Sequence, residues 1–275
     1  MKLIYFDIHK ASHLIEEFFF IKYSETEIPL EAIILPLGFS GLAYIYSNGQ
    51  KITLNSIDTV IKGLVLNGQY YKPYQFKTTE PGFACGLSFN PTALHKLTNL
   101  DISKFTNKYT PFNLVNKDLS NKFEEIFKNH NNNFTNLLNN LQEFILELPL
   151  IENKNTLAID KLIDIINSKE GLLSVNELLT EIPFGQKTLE TQFKKIVGLT
   201  PAKYIRICRF KKLMKQYESN KISLKDLIYM YDYYDESHFA RDFKSFTNKS
   251  FKDYFKDEFS FIKEIYKNSS YEFLH

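Results

Sequence analysis

Residues 232–246, DYYDESHFARDFKSF, put four acids, a histidine, an arginine and five aromatic rings into one short run. Asp232, Asp235, Glu236 and His238 carry the side chains of a metal site or an acid–base pair. The same letters also spell a short helix whose rings face a core while its other side meets a partner. The rest of the chain has to decide. No Walker loop, GxGxxG, GxSxG or HExxH occurs in it, so the common phosphate-, dinucleotide-, acyl- and zinc-handling signatures are missing. His9, His13 and His95 are scattered, and Asp7 with His9 makes a pair that lacks further ligands. The expectation is a protein that is not an enzyme and holds no metal or cofactor. A metal-dependent enzyme built on the β-rich half is the outlying alternative.

A chain of 275 residues, 44% hydrophobic and 24% charged, has the make-up of a soluble globular protein with room for two modest domains. No apolar run reaches the roughly 18 residues of a membrane span. The opening MKLIYFDIHKASHLIEEFFF sets acids and histidines where a signal peptide stays apolar. Cys85 and Cys208 lie far apart with no CxxC pattern, so reduced thiols and a cytoplasmic location are expected.

The net charge is only +2, but it is unevenly spread. Between Lys187 and Lys221 ten positive residues face two acids, Glu190 and Glu218, a local balance of +8. The three arginines, Arg206, Arg209 and Arg241, all fall in the last third of a chain otherwise rich in Lys, Asn, Ile and Phe. Arginine kept against such a bias suggests that its planar fork of donors is needed there, and a basic cluster points to nucleic acid.

The elements that position these charges follow from the patterns. Residues 1–112 read mostly as β: EAIILPLGFSGLAYIYSNGQKITL has β-branched and aromatic runs with SNGQ as a hairpin-turn signal, and VIKGLVLNGQYYKPYQF and FACGLSFNP continue in that style. Several short strands suggest a small barrel or sandwich. Over 113–155 the chain turns helical, with Leu137, Leu141, Phe144, Ile145 and Leu148 at steps of three and four. That face either packs on its own barrel or pairs with a second subunit. Pro149 stops it, and PLIENKN reads as a linker.

From Thr156 everything reads helical. Ile159, Leu162, Ile163 and Ile166 form one stripe, and Ser174 with Glu177 makes a capping box. Gly198 ends the helix of QKTLETQFKKIV, and Pro201 opens a long basic one. This part contains a repeat. At an offset of 50 Leu189 meets Phe239, Phe193 meets Phe243, Lys194 meets Lys244, Thr200 meets Ser250 and Tyr204 meets Tyr254. At an offset of 49 Ser174 meets Ser223, Glu177 meets Asp226 and Leu178 meets Leu227. Each copy is helix, turn and helix, the layout of a DNA reader, and a rigid connector would set two readers about one duplex turn apart. Leu189, Phe193, Phe239, Phe243 and Phe246, with Tyr204 and Tyr254, fall on the core side, and Cys208 is read as inert.

TLETQFKKIVGLTPAKYIRICRF and YYDESHFARDFKSF resemble the two signatures of the AraC/XylS-type transcriptional regulators, over roughly residues 157–256. The resemblance implies an α+β protein: an N-terminal small β-barrel or cupin-like domain (1–112), a helical linker and dimerisation segment (113–155), and a C-terminal all-α double helix-turn-helix domain (156–258, units about 172–198 and 222–248), then a tail (259–275). LPLGFSGLAYIYS, GLSFNP and RICRF resemble a subgroup whose cupin-like domain has no characterised role.

Carried over by position, the resemblance assigns base contacts to Lys187, Glu190 and Thr191 in the first unit and to Glu236, Ser237, Ala240 and Arg241 in the second. Arg241 is the leading one, since arginine binds guanine O6 and N7 bidentately. Gln186, Thr188, Lys194, Lys195, Lys203, Arg206, His238 and Lys244 fall to phosphate contacts, which position without reading sequence. Thr191 stands where the family has arginine, Gly185 where it has a capping residue, Asp232 where it has a turn glycine, and Asn248 and Phe251 where it has Gly and Pro. The implied partner is double-stranded DNA, with a small-molecule effector and RNA polymerase as further partners the family admits, in a monomer or homodimer and without a membrane. The competing reading is a ligand-binding or protein-interaction protein whose repeats have lost DNA recognition. Asp235 then reads as the N-cap of a recognition helix, and the apparent acid–histidine cluster dissolves.

Overall fold

The computed structural model describes residues 2–130, 132–218 and 222–254. Lys221, the tail 259–275 and the packing of Tyr254 lie outside the described residues. Eight strands make one antiparallel sheet: β1 (Lys2–Phe6), β2 (Ile15–Tyr23), β3 (Leu30–Ile34), β4 (Ser40–Leu54), β5 (Ile57–Asn67), β6 (Tyr74–Thr78), β7 (Gly82–Phe89) and β8 (Tyr109–Pro111). Their order is β1-β2-β7-β4-β5-β8, with β3 joined through β6 to the far end of β4. The long β4 pairs with β5, β6 and β7 at once, because its first half registers on β7 and its second half on β6. One strand serving two neighbours in succession curls the sheet around an interior, as expected of a small barrel.

The expected turn at SNGQ is not where the hairpin closes. β4 runs through it, with a register shift between Ile45 and Gln50, and the reversal comes at Asn55 and Ser56. Both have positive φ (51° and 64°), the backbone of a tight two-residue hairpin. Pairing of Lys51, Ile52 and Thr53 with β6 as well as with β5 keeps the strand going past the Asn-Gly pair.

Helices α1 (Ala93–Thr98), α2 (Lys117–Lys128) and α3 (Phe134–Glu147) complete this part. Phe123 and Phe127 of α2 and Leu137, Leu138, Leu141 and Ile145 of α3 are buried in one core with Phe18, Leu87 and Phe89 of the sheet. The periodic face of α3 is therefore covered by its own barrel, so it is not a surface for a second subunit. Only the short stretch after Leu148 separates α3 from α4 (Lys154–Ser168), and Asn153 caps that helix through the N–H groups of Asn155 and Thr156.

The helical domain continues with α5 (Val175–Thr180), α6 (Gln186–Val197), α7 (Pro201–Glu218), α8 (Leu224–Met230), α9 (Glu236–Thr247) and the short α10 (Phe251–Tyr254). One core joins Ile159, Leu162, Ile163 and Ile166 to Leu189, Phe193, Phe210, Phe239, Phe243 and Phe246. Among the described residues no helix is long and apolar enough to cross a membrane.

Gly198 shows how tightly the two parts fit. It caps α6 with φ +95°, and a Cβ there would meet Ile102 Cγ2 at 3.0 Å and Gln69 Cβ at 3.3 Å. Gly198→Ala is expected to destabilise the protein by about 1–2 kcal/mol, because alanine is strained at positive φ and has no room. Urea unfolding checks this, and an unchanged midpoint contradicts it.

Candidate nucleic-acid interface

Each helix pair is assembled by local capping. In the first, Ser174 accepts from the Glu177 N–H while Glu177 accepts from the Ser174 N–H, and these bonds hold the Glu177 carboxyl below its usual range. The second repeats the arrangement with Ser223 accepting from the Asp226 N–H. The turn of the second unit passes through Asp232 at φ 55°, and α9 ends on Asn248 at φ 57°. Asp and Asn occupy this left-handed region more readily than most residues, so both departures from glycine keep the turn intact.

The two reading helices are sided alike. On α6, Leu189, Phe193 and Ile196 are buried, whereas Lys187, Glu190, Thr191 and Lys194 are exposed at steps of three and four. On α9, Phe239, Phe243 and Phe246 are buried, whereas Glu236, Ser237, Ala240, Arg241 and Lys244 are exposed. All seven base-contact residues expected from the sequence thus lie on open faces. Arg241 makes no ion pair among the described residues, and its neighbour Asp242 points inward.

The first unit is the more internally committed. Gln186 Nε2 donates to Glu190 Oε1 at 3.1 Å, and the Thr191 hydroxyl donates to the Lys187 carbonyl at 2.8 Å. α6 begins at Gly185 without a side-chain cap. In the second unit Asp235 Oδ1 accepts from the His238 N–H at 2.6 Å, and the His238 ring stands edge-on to Tyr233 at 5.2 Å. His238 is therefore half-buried at the cap, and no metal-ligand cluster exists around it among the described residues.

Of the phosphate-contact residues, Gln186, Thr188, Lys194, Lys195, Lys203 and Lys244 are exposed. Arg206 is half-buried and already engaged within the protein. Its guanidinium pairs with the buried Asp242 of α9 and donates to the Tyr71 hydroxyl of the barrel at 2.5 Å. Arg209 likewise turns inward, donating to the Gly171 carbonyl at 3.1 Å, and Lys212 sits 3.6 Å from Glu170. Burial, then the charges of Lys212 and Lys211, push the Lys215 ammonium below its usual value. The basic connector α7 thus uses much of its charge within the protein. Cys208 is half-buried on α7, and burial raises its thiol to about 11, so it stays protonated and inert.

Two important residues escaped the sequence reading, Asp242 and Tyr71. Asp242 carried a signal: Phe239, Asp242, Phe243 and Phe246 form one helical stripe, and an acid in an apolar stripe requires a buried partner. Tyr71 carried none, because the residues its side chain meets, Lys203, Arg206 and Phe246, lie more than 130 positions away.

Residues 178–257 match a family model described as a helix-turn-helix domain, and residues 10–111 match a domain of unknown function (DUF6597). No curated protein matches the chain. Similar solved structures include ToxT from Vibrio cholerae bound to (E)-4-(8-methylnaphthalen-1-yl)but-3-enoic acid, 13% identical, covering 86% of this chain and 96% of that one with a TM-score of 0.45. ToxT of the same organism with an unsaturated fatty acid bound is 12% identical over 84% and 92%, with a TM-score of 0.41. The AraC-like transcriptional activator CuxR is 14% identical over 77% and 84%, with a TM-score of 0.28. The tandem helix pairs, their open reading faces and the family match over the same residues lead to one conclusion: residues 178–257 of this chain form a helix-turn-helix domain.

Proposed function

We propose that this chain is a transcription regulator that reads DNA with Lys187, Glu190 and Thr191 on α6 and with Glu236, Ser237, Ala240 and Arg241 on α9, in successive major-groove segments. The matching exposure of these seven residues on two equivalent helices carries the reading. α9 supplies most of the sequence discrimination, because Glu190 and Thr191 on α6 already spend hydrogen bonds within their own helix. The barrel domain modulates binding through a small molecule held between its strands, where the sheet curves around an open cavity of about 160 Å³. The protein works in the cytoplasm, in keeping with its two free cysteines. RNA polymerase is the partner through which it would act on transcription. Whether it binds as a monomer or a homodimer, the α3 face is covered by its own barrel and does not serve for pairing.

The test is salt dependence. Lys194, Lys195, Lys203 and Lys244 neutralise about four phosphates, so log Kd against log salt should have a slope near 3.6, or roughly 150-fold weaker binding between 50 and 200 mM. A duplex selected from random sequence should show a footprint on one face of the helix, in two segments about one turn apart. Salt-insensitive retention without a footprint would instead identify a module whose repeats no longer bind DNA.

A further inference from the structure

The barrel cavity has an unusual wall. It is lined by Leu, Ile, Phe and Tyr side chains, and no Lys, Arg or His is among its lining residues. Tyr70, which is 5% exposed, has a buried hydroxyl without a hydrogen-bond partner among the described residues, and so does the Asn67 Oδ1 atom. Both residues belong to the cavity wall. The neighbouring tyrosines are satisfied, with the Tyr74 and Tyr109 hydroxyls bonded to each other at 2.5 Å. Of the buried unpaired side-chain atoms among the described residues, these two lie on the cavity wall, where a bound molecule can reach them.

Their chemistry narrows its class. Asn67 Oδ1 needs a donor, and the Tyr70 hydroxyl can donate to an acceptor, so a hydroxyl group, which does both, matches them in kind. A carboxylate finds no cation on this wall and meets Glu17 there. Tyr70 packs its ring on Tyr74 at 4.6 Å and Tyr109 at 5.6 Å, an aromatic surface for a flat ring. A cavity of about 150 Å³ lined by apolar side chains is known to accept benzene, so one ring fits the available volume.

The next residue along the chain leads out of the cavity to the DNA-binding domain. Tyr71 accepts from Arg206, lies under Lys203 at 4.8 Å and meets Phe246 of α9 edge-on at 5.6 Å. Its N–H donates to Asn107 Oδ1, and the Asn107 N–H donates to the Gln69 carbonyl. In the same loop Thr106 donates to the Gly198 carbonyl at 2.5 Å, at the cap of α6. Gly68 approaches so closely that a Cβ there would sit 1.9 Å from the Phe105 carbonyl oxygen. Residues 68–71 and 105–108 thus form one bonded unit that touches the cavity on one side and both helix pairs on the other.

We propose that the barrel cavity takes a small uncharged hydroxylated aromatic of the phenol class, and that Tyr70 and Tyr71 transmit its presence to Lys203 and Arg206. The proposal deepens the ligand modulation described above and rests on that reading. A ligand bonded to Tyr70 steadies the 68–71 segment, strengthens the hold of Tyr71 on the two cations, and keeps Lys203 from a phosphate. Binding of ligand and of DNA then oppose each other by the same coupling free energy.

The experiment uses the full chain with phenol, toluene and benzoate as probes, titrated by calorimetry, and then a selected duplex followed by fluorescence anisotropy. Phenol should bind at least tenfold tighter than toluene or benzoate, and Tyr70→Phe should weaken phenol about five- to tenfold while leaving toluene unchanged. Saturating phenol should weaken duplex binding about fivefold or more. Tyr71→Phe should bind phenol as before and lose that effect. Phenol binding no tighter than toluene or benzoate, or insensitive to Tyr70→Phe, overturns the ligand class. An unchanged or raised duplex affinity, or an equal phenol effect in Tyr71→Phe, overturns the transmission. Calorimetry needs no DNA, so loss of phenol binding is distinct from failure of the DNA reading, which shows as absent salt-dependent binding in phenol-free protein.

Discussion

Arg241→Ala should lower affinity for the selected site by about 1–3 kcal/mol, roughly 5- to 150-fold, while changing binding to unrelated duplex by no more than the loss of one cation. The argument rests on where the guanidinium is free to go. Asp235 fixes the start of α9 through the His238 N–H, and the aromatic stripe fixes its rotation against the core. Arg241 then projects from the open side, while Asp242, the nearest acid in sequence, is committed to Arg206. An arginine without an internal partner, on the exposed face of a reading helix, has its planar fork available for guanine O6 and N7. The effect should be confined to one base pair: single-base variants of the site should lose discrimination at that position only. Arg241→Lys separates fork from charge and should keep non-specific binding while losing most of the discrimination. An equal fall for every sequence would make Arg241 a phosphate contact.

The helical domain was legible because its determinants are local. Ser174 with Glu177, Asp235, Pro201 and the apolar steps along α6 and α9 each act within a few residues, and all of them appear as expected. The repeat did further work, since two copies of one pattern constrain each other. The barrel was legible in class but not in detail. SNGQ carries the stronger hairpin signal, yet the turn is at Asn55 and Ser56, because the partners of residues 51–53 on β6 are fixed by long-range register. The apolar face of α3 was visible from its spacing, but spacing does not say what covers it, and the answer lies in Phe18, Leu87 and Phe89 more than 40 residues earlier. The candidate site divides the same way. Exposure of Lys187, Glu190, Thr191, Glu236, Ser237, Ala240 and Arg241 follows from helix period alone. The inward turn of Arg206 depends on Tyr71 and Asp242, which only the tertiary fold brings together.

Arg206→Ala is expected to destabilise the protein by about 3–5 kcal/mol, the largest single-residue effect foreseen, and to do so without altering how binding depends on salt. Asp242 is 4% exposed, and its one ionic partner among the described residues is Arg206, with the Tyr233 hydroxyl at 3.4 Å as a weaker neighbour. Removing the guanidinium leaves a buried carboxylate with little compensation, the costly way to break such a pair. Asp242→Ala should do less, about 2–3 kcal/mol, because the Arg206 side chain is 42% exposed and can be rehydrated. The double variant should then unfold at a higher denaturant concentration than Arg206→Ala alone, since no stranded charge remains. Chemical denaturation of the four proteins measures the coupling. Strictly additive losses would show that the two side chains do not depend on each other. A near-neutral Arg206→Ala with a shallower salt slope would return Arg206 to the phosphate backbone, where the sequence first placed it.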